Sequence, residues 1–164
     1  MTNEKKQAEF LAMLRQSESL LLRLCLHLRS RRDSVEDTYQ DVVCVLWEQW
    51  PRFRGESSPR TWAVRIALNT IGQKMRWNKH QPRFVKIDRQ QLENIAYEPE
   101  DPDIELLNEL IEHLNDTDKE LLMLQLEGMS IDEIAYATGI SANAAKQRLY
   151  RIRLKLKHIK EIVL

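Results

Sequence analysis

Between residues 146 and 160 the chain carries Lys146, Arg148, Arg151, Arg153, Lys155, Lys157 and Lys160 with no carboxylate among them. Ammonium and guanidinium groups at that density pair with phosphates. Arginine forks and amides such as Gln147 and Asn143 match hydrogen-bonding groups on base edges in a major groove. Through the same stretch Ala145, Leu149, Ile152, Leu156 and Ile159 recur at steps of four and three. That spacing predicts one amphipathic helix with a packed stripe and an outward cationic face. Asn143, Lys146, Gln147, Tyr150, Arg151 and Arg153 fall off the stripe, mostly near the first turns. Lys146, Gln147 and Arg151 are therefore candidates for base edges, and Arg148, Lys155 and Lys157 for phosphates.

Such a helix must be held in place, and the residues ahead of it supply the means. Ser130 with Glu133 has the spacing of a capping box, Gly139 suits the end of the helix so opened, and Ser141 suits the cap of the next. A short helix, a glycine turn and a cationic helix in that order predict a helix-turn-helix, which lays its second helix in a duplex groove. A solvated charged face is the commoner meaning of a cation run. The conjunction of cap, turn and basic helix favours DNA. Further upstream, Ile104, Leu107, Ile111 and Leu114 predict a helix, and Asn115 or Thr117 caps another whose apolar face carries Leu121, Leu124 and Leu126 before Gly128.

The amino-terminal half follows the same helical grammar. Phe10, Leu14, Leu21, Leu24 and Leu28 form one stripe, ending in Arg29, Arg31 and Arg32. Ser34, with Asp37 three residues on, opens a second helix with the stripe Tyr39, Val43, Leu46 and Trp50, closed by Pro51. A loop leads to Ser58, a candidate N-cap ahead of Pro59. In the helix that follows, Val64, Leu68, Ile71 and Met75 share one face and Arg65, Asn69 and Arg76 another. From 78 to 103 the pattern fails: Pro82, Pro99 and Pro102 interrupt, and Glu93, Glu98, Glu100, Asp101 and Asp103 crowd the second half. We read a helical domain over 1–77, an acidic linker over 78–103 with a short element around Val85 to Ile95 left open, and a helix-turn-helix domain over 104–164.

Composition agrees with an all-α class: of 164 residues 43% are apolar, with four glycines and five prolines. The net charge of zero hides a segregation, since from Glu105 to Glu133 every charged residue except Lys119 is acidic. Cys25 and Cys44 sit in apolar helical runs and are expected as buried free thiols; no metal or cofactor is expected. The sequence shows no apolar run of the roughly 18 residues a membrane span needs, so a cytoplasmic protein is expected. A Gly-rich Lys-Ser/Thr phosphate loop, which an ATP-driven machine would need, is not found.

A helix-turn-helix alone leaves the task open, and the amino-terminal residues narrow it. The run Ser34 to Val42 (Ser-Val-Glu-Asp-Thr-Tyr-Gln-Asp-Val), then Leu46-Trp47, Phe53-Arg54-Gly55-Glu56-Ser57-Ser58, Thr61-Trp62 and Arg65-Ile66-Ala67-Leu68-Asn69-Thr70 resemble the second conserved region of extracytoplasmic-function sigma factors, in the sigma-70 family. Leu114 to Lys157 is similar to the fourth region. Pro59, Ala63 and Ala145 depart from the residues common in that family.

The resemblance implies a non-catalytic promoter-specificity subunit. Glu36, Asp37, Gln40, Asp41 and Trp47 would dock on the clamp helices of core RNA polymerase. Phe53, Arg54, Gly55, Ser57, Ser58, Trp62, Arg65, Asn69 and Arg76 would hold the melted minus-ten strand. Asn143, Lys146, Gln147, Arg148, Tyr150, Arg151, Arg153 and Lys155 would read the minus-thirty-five duplex. It also implies promoter DNA and an anti-sigma factor as partners. The alternative is a dimeric helix-turn-helix regulator acting on duplex operators without polymerase; a serine recombinase would require a sheet-containing domain ahead of the helix-turn-helix, and an anti-sigma or adaptor protein would lack the DNA face.

Overall fold

The computed structural model describes residues 2–29, 32–79 and 102–163. Seven α-helices order them: α1 (Asn3–Leu28), α2 (Val35–Gln49), α3 (Pro59–Lys79), α4 (Pro102–Glu112), α5 (Asp116–Leu126), α6 (Ile131–Thr138) and α7 (Ala142–Val163). A 3-10 turn, Trp50–Arg52, follows α2. No strand occurs among the described residues, and the class is all-α. The chain divides into two compact units, one built from α1–α3 and the other from α4–α7.

In the first unit each helix packs on the other two. Leu21, Leu24 and Leu28 of α1 meet Val42 and Leu46 of α2 and Val64, Ala67 and Ile71 of α3 in a fully buried core. The stripe on α2 differs from the one expected: Val35, Thr38, Val42 and Leu46 are buried, while Tyr39 and Val43 are only half-buried. Thr38 explains the rotation. Its hydroxyl donates to the Ser34 carbonyl at 2.9 Å, so a residue that reads as polar turns into the core with its hydrogen bond already made. Ser34 also caps the helix as expected, accepting from the Asp37 N–H at 3.0 Å.

The expectation of two buried thiols holds for one. Cys25 is buried, and burial pushes its thiol up to about 12. Cys44 is exposed, on the face of α2 that also carries Gln40 and Trp47. Cys44 lies two residues from both Val42 and Leu46, which puts it on the opposite side of the helix.

In the second unit Leu110, Ile111 and Leu114 pack with Leu121, Leu122, Met123 and Leu124, with Ile134 and Ala137, and with Ala145, Leu149 and Ile152. Helix α5 runs through the middle, so four successive residues are buried and no single stripe describes it. Leu126, expected in that core, is instead 52% exposed at the helix end. Asn115 rather than Thr117 caps α5, its Oδ1 accepting from the Asp118 N–H at 2.9 Å. The buried Lys119 donates to Glu112 Oε2 at 3.1 Å, so its charge is paired.

Helix α3 runs past residue 77 and α4 begins ahead of 104. The remainder of the expected linker, with the open element at Val85 to Ile95, lies outside the described residues. No helix among the described residues is long and apolar enough to cross a membrane, and no cluster there has the make-up of a metal site.

Candidate nucleic-acid interface

Three local devices aim α7. The Ser130 hydroxyl accepts from the Glu133 N–H at 3.1 Å while Glu133 Oε1 accepts from the Ser130 N–H at 3.2 Å, closing the capping box that opens α6. Gly139 ends α6 at φ 77°, a left-handed conformation that a Cβ would oppose, and its N–H donates to the Ala135 carbonyl at 2.9 Å. Two residues later Ser141 Oγ accepts from the Ala144 N–H at 3.1 Å and opens α7. Ala145, Leu149 and Ile152 then seat the helix in the core.

All eight candidates on α7, from Asn143 to Lys155, are exposed. Their spacing sorts them. Asn143, Gln147 and Tyr150 stand at i, i+4 and i+7 directly opposite the buried stripe, a row of hydrogen-bonding groups at the crest of the helix. Lys146, Arg153 and Lys157 lie along one side of that row, and Arg151, Lys155 and Arg148 along the other. The first turn holds no acid, so the positive end of the helix dipole is uncompensated and attracts anions. Lys155 Nζ lies 3.9 Å from Asp118 Oδ2 on α5, drawing this cation toward the body of its unit. Leu154, 52% exposed and one turn beyond Tyr150 on the crest, escaped the sequence reading. Its place opposite the stripe was the available signal.

In the first unit, Arg65, Asn69 and Arg76 share one exposed edge of α3, as their spacing required. Gln73, exposed between Asn69 and Arg76 at helical spacing, belongs with them and was not picked out from sequence. The Arg76 guanidinium lies back along the helix over Gly72, where a Cβ would stand 3.9 Å from Nη1.

The loop before α3 is held at both ends. At one end Ser58 caps α3: its hydroxyl accepts from the Thr61 N–H at 3.1 Å and donates to Thr61 Oγ1 at 2.9 Å. Ser57 Oγ donates to the Ser58 carbonyl at 3.1 Å. At the other end Phe53 stacks on Trp50 with ring centroids 5.3 Å apart and planes at 10°, and Trp62 meets both rings at 5.3 and 5.6 Å. Phe10 of α1 joins the cluster through Trp50 and Trp47.

Between these anchors Gly55, at φ 77°, is exposed with nothing within 4 Å of a Cβ position, so backbone there is open to a close approach. Arg54 and Glu56 on either side of it are exposed too. Phe53 and Trp62 are both half-buried, and their rings form the floor that stiffens the loop. Phe10 and Trp50 were read from sequence only as helix stripes. Nothing in their spacing joins them to the loop.

On α2, Glu36, Asp37, Gln40, Asp41 and Trp47 are all exposed, at spacings that put them with Cys44 and Glu48 along one side. Trp47 is 43% exposed and rests edge-on against Phe10 at 5.0 Å. Asp41 Oδ2 accepts a hydrogen bond from Lys74 Nζ of α3. The side is thus acidic and amide-bearing with one indole, a surface suited to a cationic, partly apolar partner.

Comparison with known proteins places both units. A family model described as Sigma-70 region 2 matches residues 13–81, and one described as Sigma-70, region 4 matches residues 104–156. The ECF RNA polymerase sigma factor SigG of Mycobacterium tuberculosis is 24% identical over an alignment of 186 positions, gaps included, that covers 96% of this chain and 50% of that protein. The chain thus spans about half the length of that relative. The RNA polymerase sigma factor YlaC of Bacillus subtilis is 29% identical over an alignment of 147 positions, gaps included, that covers 84% of this chain and 81% of that protein. Among solved structures, RpoE of Bartonella quintana, in complex with the anti-sigma factor NepR, superposes with a TM-score of 0.73 at 20% identity, covering 94% of this chain and 98% of that one. CnrH, in complex with the cytosolic domain of CnrY, gives 0.67 at 22%, covering 95% and 90%. At these identities the two structures show the fold.

Proposed function

The chain belongs to the sigma-70 family, with its region 2 and region 4 both present, and on that premise we propose that it is a promoter-specificity subunit of RNA polymerase. It binds the core enzyme, reads a minus-thirty-five element as duplex and a minus-ten element as melted strand, and works in the cytoplasm as a binding factor rather than a catalyst. The observation that carries this reading is the presence in one chain of two differently built surfaces, an exposed cationic helix face and a stiffened glycine loop beside an acidic helix face.

Each surface then has its task. On α7 the crest residues Asn143, Gln147 and Tyr150, with Lys146 and Arg151 beside them, meet base edges, and Arg148, Arg153 and Lys155 hold phosphates. On the first unit, backbone at Gly55 with Arg54 and Ser57 receives a flipped base over the floor made by Phe53, Ser58 and Trp62, while Arg65, Asn69 and Arg76 track the strand. Opening the duplex costs stacking energy, which capture of the exposed strand and contacts with polymerase offset. Glu36, Asp37, Gln40, Asp41 and Trp47 dock on the polymerase. The acidic face of α2 and the exposed cationic face of α7 are also the surfaces an anti-sigma factor would have to cover.

Cys44 provides the test, because it stands on the docking side and is the exposed thiol of the two. Burial holds Cys25 as an unreactive thiol, pushed up to about 12. Alkylation of Cys44 by iodoacetamide is expected to slow about tenfold or more when stoichiometric core polymerase is added, and to keep its rate with promoter DNA alone. An unchanged rate in a complex that co-elutes by size exclusion would remove α2 from the docking surface.

A further inference from the structure

Lys74 lies on α3, yet its ammonium serves α2. Its Nζ donates to Asp41 Oδ2 and stands 3.9 Å from Asp33 Oδ2 ahead of α2. The Lys74 side chain is 23% exposed and that of Asp33 24%, whereas the Asp41 side chain is 54% exposed. One partner of the pair is therefore held within its unit and the other faces out. We propose that Lys74 is a positioning residue for polymerase docking: from α3 it fixes the Asp41 carboxylate on the outward side of α2, for a cationic side chain of the polymerase to take. The proposal rests on the reading of α2 as the docking helix.

The physical case has three parts. An exposed carboxylate loses rotamer freedom when a partner grips it, and a lysine of the same unit that already holds it removes that loss beforehand. A carboxylate has about four acceptor sites, so one oxygen can serve Lys74 while the other serves a partner. The Asp41 side chain is 54% exposed, which leaves room for a second cation beside the Lys74 ammonium.

A double-mutant cycle on core binding tests this, with Met chosen to keep the apolar stem of Lys74 without its charge. Asp41→Asn and Lys74→Met are each expected to weaken binding about three- to fivefold. The double variant should be no weaker than either single one, and Lys74→Arg should bind like the parent. A merely structural role would make Lys74→Met lose affinity in the Asp41→Asn background as well, and that outcome, like unchanged or tighter binding by Lys74→Met, overturns the proposal. If Asp41→Asn binds normally while Glu36→Gln/Asp37→Asn does not, docking by α2 stands and the role of Lys74 falls. If neither variant weakens binding, the docking assignment falls with it.

Discussion

The two units hold their candidate DNA-binding residues at different distances from their own cores. In the second, Asn143, Gln147 and Arg151 stand on the side of α7 away from Leu149 and Ile152, so the residues proposed to read and those that fold are separate sets. In the first, Phe53, Ser58 and Trp62 are proposed for both, since the rings and the hydroxyl that border the loop also hold it in shape. A duplex presents a regular groove, and a protruding helix is enough to enter it. A displaced base has no groove to guide it, and the pocket that takes it must be rigid beforehand.

If the separation is real, the largest effects should fall on one unit at a time. Leu149→Ala removes a fully buried side chain of the second unit and is expected to cost it about 2–5 kcal/mol. All four tryptophans, at 47, 50, 62 and 77, lie in the first unit's part of the chain, so their fluorescence reports that unit alone. The fluorescence melt should stay in place while the helical circular-dichroism signal gains an early transition. A shared shift of both signals would show that the units unfold as one.

Glu120 sharpens the comparison by pH. Burial, with Asp116 adding to it, pushes its carboxyl up to about 7. A carboxyl that binds its proton more tightly when folded stabilises its unit below its unfolded value, and that stability is lost as pH rises from about 4.5 to about 7. Glu120→Gln should therefore stabilise the second unit by up to about 3 kcal/mol above pH 7 and by nothing near pH 4. The tryptophan melt should not respond. An equal gain at both pH values would show that ionisation of Glu120 is not the cause.

Smaller effects separate the two modes of reading. Arg151→Ala is expected to reduce discrimination between right and wrong minus-thirty-five sequences by about 1–3 kcal/mol. A uniform loss on all sequences would make Arg151 a phosphate contact. Asn69→Ala should weaken productive binding to a closed duplex promoter by about 1 kcal/mol more than binding to a premelted one. Equal loss on both templates would leave Asn69 with no part in opening.

Most of the second unit was legible in the sequence, because its signals are local. Ser130, Glu133, Gly139 and Ser141 act over three or four residues, and the α7 stripe follows from periodicity alone. The buried centre of α5 was misread at Leu126, since a helix packed on most sides loses the period that marks a face. In the first unit the helices and the Ser34 and Ser58 caps were legible, and so was the exposed edge of α3. What the sequence did not show was one local bond, through which Thr38 enters the core with its hydroxyl already satisfied, and two distant contacts: Phe10 joining the Phe53 and Trp62 rings through Trp50, and the reach of Lys74 to Asp41. Each joins residues whose separation or polarity hides the contact.

The most direct test of the two-interface account is run-off transcription with the purified chain and core polymerase on a library of genomic fragments. The account predicts transcripts that start at a restricted set of sites sharing two short elements, upstream and downstream, and that vanish when the chain is omitted. A chain that yields no such transcripts, yet binds symmetric duplex operators as a dimer, would contradict it.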